Sequence, residues 1–458
     1  MHIRLHVKIM LVLGTFIFLF LACKESSSIP SSEINPDLST FKIEISTAAD
    51  QHFKTWFPKI IDTINGGYYT NFEYDWKMSD QQEKMLVTQA RALWAASIAS
   101  QYYPHDSTFK IAADHGFAFL TNQLWDEVNG GFYLNYPKTH SGEISYKLLY
   151  GNAFALYALA EYAKINDSKK VIKWIEKTFQ WMDFKARRPG ESGYYNIITD
   201  TSQDKNSAAY LKFAGSIGWG NPDWKDQNTS IHLLEAFTNA YVVWPDERLK
   251  LRLEEMLLIV RDKMVNEKNG LNLYFDQDFK PITFVDESRE TILKNINLDH
   301  ISFGHNIETS FLMIDAARIL YDTIDTLTMK VATALLDHTI AHGFGPNYTG
   351  IYDKAYQFKG SDTLEIVANQ KTWWAQAEAL HTLVLFSSLL PERKTEFMNI
   401  AIKLWGYMKQ NIIDSEHGGW YGNGLDNNPE SKTERKAHPW KGPYHDGRAL
   451  LFCKMYLQ

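Results

Sequence analysis

Polar side chains that can exchange protons lie near the starts of several apolar stretches. Asn228 and His232 are four residues apart, and His305 and Glu308 are three apart, so each pair would share one face of a helix. His445 lies at the start of the last apolar stretch. An imidazole changes protonation state near neutral pH, so these histidines are candidate general acids or bases.

Other polar and aromatic residues occupy similar positions. Arg91 lies in an apolar stretch, where a charged side chain is costly unless it is paired. Trp374 and Glu378 share a face, Tyr150 begins another stretch, and Trp440 precedes the last one. Each residue alone is explained by core packing, helix capping or an ion pair between a glutamate and Arg91 or an arginine near the C-terminus. Together they indicate one polar site.

A Gly-aromatic pattern divides the chain into repeats. Five copies read Gly, a large apolar residue and Tyr, and a sixth copy is degraded. A constant pattern at irregular spacing predicts one structural unit that is repeated with variable loops. The copies begin at Gly67, Gly131, Gly193, Gly270 (degraded), Gly350 and Gly419.

Between these turns, apolar residues recur at i, i+3 and i+4, which predicts twelve helices. Six repeats of two helices predict an all-α fold, an (α/α)6 barrel of twelve helices with short Gly-aromatic hairpin turns. An open helical solenoid is the alternative; closure is favoured because the polar candidates lie on the even-numbered, inner helices. The predicted helices span about 43–58, 85–103, 107–124, 147–165, 168–183, 229–245, 247–266, 304–321, 326–342, 372–388, 391–412 and 442–457.

The composition narrows the possible partners. The 458 residues include 47 basic and 54 acidic side chains, and the net charge of −7 argues against nucleic acid, because phosphate binding needs a basic surface. Aromatic residues make up 14% of the chain. Aromatic rings usually belong to the core, but they also stack on sugars, so a carbohydrate ligand is favoured.

The sequence predicts no metal and no other cofactor. Cys23 and Cys453 are the only cysteines, which excludes a zinc ribbon or an iron–sulfur site. Cys453 lies in an apolar run and is expected in the core. The chain contains no Walker A loop and no Gly-x-Gly-x-x-Gly motif between a strand and a helix, so no nucleotide site is expected.

The N-terminus has the pattern of an export signal. Residues 1–22 contain a basic start followed by 14 uncharged, mostly apolar residues, which is too short for a membrane-spanning helix. Cys23 follows a small residue and precedes a polar segment, as in bacterial lipoproteins. We therefore expect a lipid on Cys23, a tether at 23–40, one catalytic domain at 41–458 and attachment to a membrane of the bacterial cell envelope. A secretory signal without lipid is the alternative.

Four sequence blocks, in this order, resemble motifs of the N-acylglucosamine 2-epimerase superfamily, and most closely its cellobiose/mannobiose 2-epimerase branch. The resemblance extends from about residue 41 to the C-terminus. It implies an (α/α)6 barrel and cofactor-free epimerisation at C2 of a reducing-end sugar. The blocks are Gln-Ala-Arg-Ala-Leu-Trp at 89–94, Gly-His-Asn-Ile-Glu at 304–308, Trp-Trp-Ala-Gln-Ala-Glu at 373–378 and Trp-Lys-Gly-Pro-Tyr-His-Asp-Gly-Arg at 440–448.

The matching motifs imply a role for each candidate residue. Three positions differ from the pattern of the branch: Ser230 replaces His, Asn306 replaces Asp and Ala375 replaces Pro. The resemblance implies that His305 and His445 are the general acid/base residues, that Arg91, Asn228, His232, Glu308 and Glu378 form the polar shell, and that Trp374 and Trp440 stack on the sugar.

Two histidines suit this reaction. In the ring-opened sugar the C2 proton lies next to a carbonyl group, and its removal gives an enediolate. Inversion then needs either one base on each face or rotation of the intermediate about C2–C3. Arg91 and His232 are candidates to hold the enediolate oxygens. Glu308 is expected to orient His305 or to assist ring opening.

The expected substrate is a β-1,4-linked disaccharide, with cellobiose converted to glucosyl-mannose or mannobiose to mannosyl-glucose. An aldose–ketose isomerase of the same superfamily would form the same enediolate and reprotonate C1. An (α/α)6 glycoside hydrolase would instead need a pair of carboxylates, such as Glu308 and Glu378. A sugar-binding lipoprotein would explain the anchor and the aromatic residues but not the two histidines.

Overall fold

The computed structural model describes residues 36–136, 146–199 and 220–458. The chain divides into two compact units, Met1–Thr40 and Phe41–Gln458. The predicted signal segment and Cys23 lie outside the described residues, as does most of the predicted tether. None of the helices in the described ranges is long and apolar enough to span a bilayer.

Twelve long helices account for about half of the described chain, and a six-residue helix at Arg289–Lys294 is additional. The long helices follow one another in pairs joined by the predicted turns. They are α1 (Pro36–Trp56), α2 (Leu86–Tyr102), α3 (Ser107–Phe119), α4 (Leu149–Ala163), α5 (Lys169–Lys185), α6 (Gln227–Val243), α7 (Glu247–Ile259), α8 (Phe303–Tyr321), α9 (Thr326–His342), α10 (Trp373–Leu389), α11 (Lys394–Asn411) and α12 (His445–Tyr456).

The boundaries predicted from apolar spacing are close to the observed ones, with two exceptions. Helix α1 begins at Pro36 rather than at 43. The stretches predicted at 107–124 and 247–266 correspond to α3 and α7. Each ends in one π-helical turn, at Leu120–Leu124 and Val260–Met264. A π turn keeps the apolar face buried while it adds a residue to the turn, so apolar spacing alone does not reveal it.

Burial separates the inner helices from the outer ones. Every residue of α4 is buried, so this helix is surrounded by protein on all sides. In α5, by contrast, buried apolar residues recur every three or four positions, at Val171, Ile175, Phe179 and Met182. This single apolar stripe is typical of a helix that packs on a core and faces solvent on its other side.

The inner helices form a closed ring. Consecutive even-numbered helices pack against each other from α2 to α12. Helix α12 returns to α2 through the rings of Phe452 and Trp94, whose centroids are 6.5 Å apart. In the outer ring, the Trp405 indole of α11 donates to Glu44 of α1 at 2.7 Å. The predicted (α/α)6 barrel is therefore confirmed, and the open solenoid is excluded.

Short antiparallel strands frame the starts of the inner helices. We expected strand-like structure only in the Gly-aromatic turns, but α2, α4, α6 and α8 each begin on the residue after a strand. The backbone therefore enters these helices from an extended, paired segment. The strand pairs are β1 (Lys84–Met85) with β2 (Asn135–Tyr136), β3 (Tyr146–Leu148) with β4 (Ile197–Thr199), β5 (Lys225–Asp226) with β6 (Tyr274–Phe275), β7 (Ile301–Ser302) with β8 (Lys354–Tyr356), and β8 with β9 (Glu365–Ala368).

An aspartate and a lysine hold each of three Gly-aromatic turns, a feature that our sequence analysis missed. Asp126 accepts hydrogen bonds from the backbone N–H groups of Val128 and Asn129, at 3.0 and 3.1 Å. Its other oxygen binds Nζ of Lys147, which lies just before α4, at 2.7 Å. The sequence signal is an aspartate five residues before the second glycine of a Gly-Gly-aromatic turn. The other two pairs are Asp62–Lys84 and Asp414–Lys436.

An amide side chain on the inner helix holds two of these three turns from the other side. Gln89 accepts from the Tyr68 N–H at 2.7 Å and donates to the Tyr68 carbonyl at 2.9 Å. Gly67 has a φ of +67°, and a Cβ there would lie 2.5 Å from Oε1 of Gln89, so only glycine fits. Asn152 binds Phe132 through equivalent hydrogen bonds.

We predict that Asp126→Ala destabilises the barrel by about 3–5 kcal/mol, because Lys147 would remain buried without its partner. Urea denaturation followed by circular dichroism would measure the loss. Asp286→Ala is the matched control, since Asp286 and Lys359 form an ion pair in which both side chains are more than 70% exposed, and its cost should stay below about 1 kcal/mol. Equal losses for the two variants would contradict the proposed role of the buried pair.

Candidate functional site

The starts of the inner helices surround one pocket of about 440 Å³, a volume within the range of small-molecule sites. Nine of the ten residues that the sequence predicted for the site line it. Glu378 is not among the lining residues and instead contacts His445. The nine residues are Arg91, Tyr150, Asn228, His232, His305, Glu308, Trp374, Trp440 and His445.

A buried arginine, Arg448 on α12, joins three carboxylates below the pocket. Its Nη2 atom donates to Glu308 and to Glu378, both at 2.7 Å. Its Nη1 atom donates to Glu235. The alternative in which the two predicted glutamates pair with an arginine is thus realised in the structure, and each glutamate comes from a different inner helix.

Glu378 orients the imidazole of His445. Oε1 of Glu378 and Nδ1 of His445 are 2.5 Å apart. Burial lowers the pKa of the His445 imidazole well below its usual range, and Arg91 and Arg448 lower it further. The ring is therefore uncharged at neutral pH. Because Nδ1 is occupied, Nε2 is the nitrogen that can exchange a proton with a ligand.

His232 is held in the same way by Glu235, a residue that our sequence analysis missed. The Nδ1 atom of His232 lies 2.8 Å from Oε2 of Glu235, and the hydroxyl of Tyr444 donates to Oε1 at 2.6 Å. Burial alone would raise the pKa of the Glu235 carboxyl, but Arg448 and His232 hold it at about 2. The spacing of three residues between His232 and Glu235 on one helix was the available sequence signal.

His305 has a different environment from the other two histidines. Its ring centroid lies 4.9 Å from that of Trp374, and its Nδ1 atom has no hydrogen-bond partner within the described residues. Burial lowers the pKa of its imidazole to about 3. We expected Glu308 to orient His305, but this was wrong: Glu308 binds Arg448, whose guanidinium is the stronger partner for a buried carboxylate.

Arg91 brings a positive charge to the pocket. Its Nη2 atom donates to the Tyr150 hydroxyl at 3.0 Å, and its guanidinium lies over the rings of Phe154 and Tyr444, at 4.2 and 4.9 Å. Burial raises the pKa of Tyr150 to about 12, so this hydroxyl is neutral at physiological pH. Ring stacking holds the guanidinium without neutralising it, so its charge is available to an anionic intermediate.

Two further features of the site were not predicted. Glu308, Glu378 and His445 place potential metal-ligand atoms within 4.8 Å of one another. The Arg448 guanidinium binds one oxygen of each carboxylate, and its charge opposes a metal ion at this position. The pocket also contains seven residues that were not among the predicted site residues. Most come from strands and loops, and two are the first residues of α6 and α10. The seven are Asp226, Gln227, Leu273, Tyr274, Asn297, His300 and Trp373.

Comparison with known proteins agrees with this geometry. The family model of N-acylglucosamine 2-epimerase (GlcNAc 2-epimerase) matches residues 67–447. The chain belongs to this family. The prediction of the superfamily is therefore confirmed, and the branch is supported by curated relatives. A cellobiose 2-epimerase from Dictyoglomus turgidum is 26% identical over 426 residues, which cover 91% of this chain and 98% of that protein.

Solved structures show the same fold. A cellobiose 2-epimerase from Spirochaeta thermophila aligns with a TM-score of 0.76 at 24% identity, over 93% of this chain and 98% of that one. A D-mannose isomerase aligns with a TM-score of 0.76 at 19% identity, over 93% and 99% of the two chains. At these identities the likeness concerns the (α/α)6 barrel, and the roles of individual site residues in this family member stay predictions.

We predict that the His305 imidazole remains uncharged between about pH 5 and 8, because burial lowers its pKa to about 3. Nitrogen-15 NMR of histidine-labelled protein, assigned with His305→Asn, should show one protonated and one unprotonated ring nitrogen across this range. The His305 imidazole binds a proton more tightly in the unfolded chain than in the folded protein. This histidine should therefore lower the free energy of unfolding as the pH falls below about 6.5.

The same sample in concentrated urea provides the control, since its histidines should titrate near 6.5. A His305 signal that titrates near 6.5 in the folded protein would contradict the prediction.

Proposed function

We propose that this protein epimerises C2 of the reducing-end unit of a β-1,4-linked disaccharide, without a cofactor. One observation carries the proposal: His305 and His445 face the same pocket, and their ring centroids lie 4.9 and 5.8 Å from that of Trp374. Both imidazoles are uncharged at neutral pH, as a base that removes a carbon-bound proton must be.

The Glu378–His445 pair can act as either acid or base. Burial raises the pKa of the Glu378 carboxyl well above its usual range, although Arg448 opposes the shift. With the shared proton on Nδ1 and the carboxyl ionised, Nε2 of His445 accepts a proton. With the carboxyl protonated, Nε2–H donates one. This property suits a reversible reaction in which the C2 proton is removed in one direction and returned in the other.

His305 would then act on the opposite face. As it accepts the C2 proton it becomes an imidazolium, and the electron pair of the broken C–H bond passes into the enediolate. His445 donates a proton to the other face of C2 and restores the aldehyde. In the one-base route, the intermediate rotates about C2–C3 and one histidine performs both transfers.

Arg91 and His232 are placed to stabilise the enediolate. Within the described residues, the guanidinium contacts the neutral Tyr150 hydroxyl and aromatic rings, so its charge can bind the developing oxyanion. His232 is fixed by Glu235, which leaves its Nε2 atom for an oxygen of the sugar. Glu308, bound to Arg448, is retained only as a candidate for ring opening.

The identity of the sugar is supported by the relatives and by the aromatic residues of the pocket. Two curated relatives, similar over 91% and 86% of this chain, are named cellobiose 2-epimerase. Trp374 lies beside His305, where the reacting unit would bind, while Trp440 is 42% exposed at the pocket and can stack on the next unit. A two-unit substrate would occupy both tryptophans.

An aldose–ketose isomerase is the second candidate, supported by the fold shared with D-mannose isomerase. It would use the same base and the same enediolate but return the proton to C1. A glycoside hydrolase is less well supported, because Glu308 and Glu378 both bind Arg448 rather than flanking a space for a scissile bond.

Proton exchange tests the proposal. During turnover of cellobiose in D2O, deuterium should appear at C2 of the product, because the imidazole N–H groups exchange with solvent. Proton NMR would follow it. Deuterium at C1 of a ketose would favour the isomerase, and protium alone at C2 would contradict the exchangeable-base mechanism.

We predict that His305→Asn and His445→Asn each lower kcat at least about 100-fold, since general acid–base steps contribute roughly 10²–10⁴-fold. His338→Asn is the matched control, because His338 lies on the outer helix α9 and does not line the pocket; it should keep most of its activity. Full activity in both site variants would remove the assignment of the acid/base residues.

We also propose that Cys23 is acylated and anchors the protein in the bacterial cell envelope. The proposal rests on the apolar run and the cysteine that follows it. Stable attachment needs at least two acyl chains, so mass spectrometry of the membrane fraction should find an N-terminal Cys23 with that lipid load. An unmodified N-terminus beyond Cys23 would contradict it. Cys453 is buried in the core, as predicted, and would be unaffected.

A further inference from the structure

One wall of the pocket takes no part in the chemistry proposed above. It is built from the start of α6, strand β6 and the segment before β7. Within the described residues, no hydrogen bond, ion pair or ring contact joins Asp226 or Gln227 to His305, His445 or Trp374. The wall consists of Asp226, Gln227, Leu273, Tyr274, Asn297 and His300.

Asp226 presents a buried carboxyl group to the pocket. It is 4% exposed, and no cationic side chain forms an ion pair with it in the described part of the chain. One oxygen caps α6 by accepting the Thr229 N–H at 2.7 Å. The other oxygen is left for a ligand. Burial raises the pKa of this carboxyl to about 6, although interactions with Thr229 and His232 oppose the shift.

Gln227 adds an unused donor next to this carboxyl. The side chain is 1% exposed, and its Nε2 atom has no hydrogen-bond partner in the described residues. A buried polar group without a partner costs about 1–3 kcal/mol, so such groups are rare unless something else satisfies them. Because Gln227 lines the pocket, a bound molecule can supply the missing acceptor.

We infer that Asp226 and Gln227 bind hydroxyl groups of the sugar unit next to the reacting one, and that this unit is uncharged. A sugar hydroxyl donates to the Asp226 carboxyl, and another accepts from Nε2 of Gln227. A uronic acid or a phosphorylated sugar would place a second anion beside a buried carboxyl. The inference rests on the proposed function, which places the reacting unit at Trp374 and His305.

Asp226→Asn tests this with the fold preserved, because asparagine caps a helix as well as aspartate does. Isothermal titration calorimetry would compare the binding of cellobiose with that of glucose, which has only the reacting unit. Asp226→Asn and Gln227→Leu should each weaken cellobiose binding about tenfold more than glucose binding, the effect of losing one hydrogen bond worth about 1.4 kcal/mol. The wild-type protein should bind cellobiose more tightly than a β-1,4-linked glucuronosyl-glucose. Asp226→Asn should reduce this difference in Kd, because it removes the carboxylate that repels the uronic acid.

Asp325→Asn is the matched control. Asp325 caps α9 by the same type of hydrogen bond, to the Thr328 N–H at 2.9 Å, and lies outside the pocket lining. It should leave both affinities within about twofold. An equal loss of cellobiose and glucose binding in the Asp226 variant, or no loss of either, would overturn the inference. Because calorimetry reports binding whether or not the sugar is epimerised, a wild-type protein that binds cellobiose but does not epimerise it would refute the proposed function and leave this test valid.

Discussion

The buried guanidinium of Arg448 is the group on which the site depends. It draws carboxylates from α6, α8 and α10 to one point on α12. One cation cannot neutralise three buried anions, and removal of charges from water is costly, so one carboxyl must bind its proton more tightly. Glu378 is that group, and it is also the partner of His445. The excess of buried carboxylates thus places an exchangeable proton beside a histidine that faces the ligand.

This arrangement requires the starts of the inner helices to lie at defined positions around the pocket. The Gly-aromatic turns hold them at these positions. Asp126 and Lys147 hold a turn from the strand before α4, and Asn152 holds the same turn from the helix. Helix α4 is therefore fixed at the end that carries its functional side chain. Several helix N-termini, which carry a partial positive charge, therefore point at the pocket. This charge favours uncharged imidazoles and an anionic intermediate.

The sequence predicted what local spacing encodes. Periodic apolar residues gave the twelve helices, and side chains three or four apart on one face gave His305, Glu308, Asn228 and His232 as members of one site. It left the partner of Glu308 open between His305, Arg91 and an arginine near the C-terminus, because Arg448 lies 140 residues away along the chain and only the closed ring brings it to Glu308. The wall that contains Asp226 was missed because its members come from the start of α6 and from separate strands and loops, whose pairing no motif encodes.

Two of the three positions that depart from the family pattern have structural explanations. Asn306 accepts a hydrogen bond from the Leu271 N–H at 3.1 Å, so it holds the degraded turn and does not face the ligand. Ala375 is small because the start of α10 packs closely against the start of α8. A Cβ added to Gly304 would lie 2.5 Å from the Trp374 indole and 3.0 Å from the Cβ of Ala375, so the α8 and α10 starts are already in close contact. That contact keeps the indole against the ring of the neighbouring histidine, where it excludes water from the base and presents a flat apolar face to a sugar. The position of the reacting unit is therefore set as much by two small residues as by the groups that carry out the chemistry.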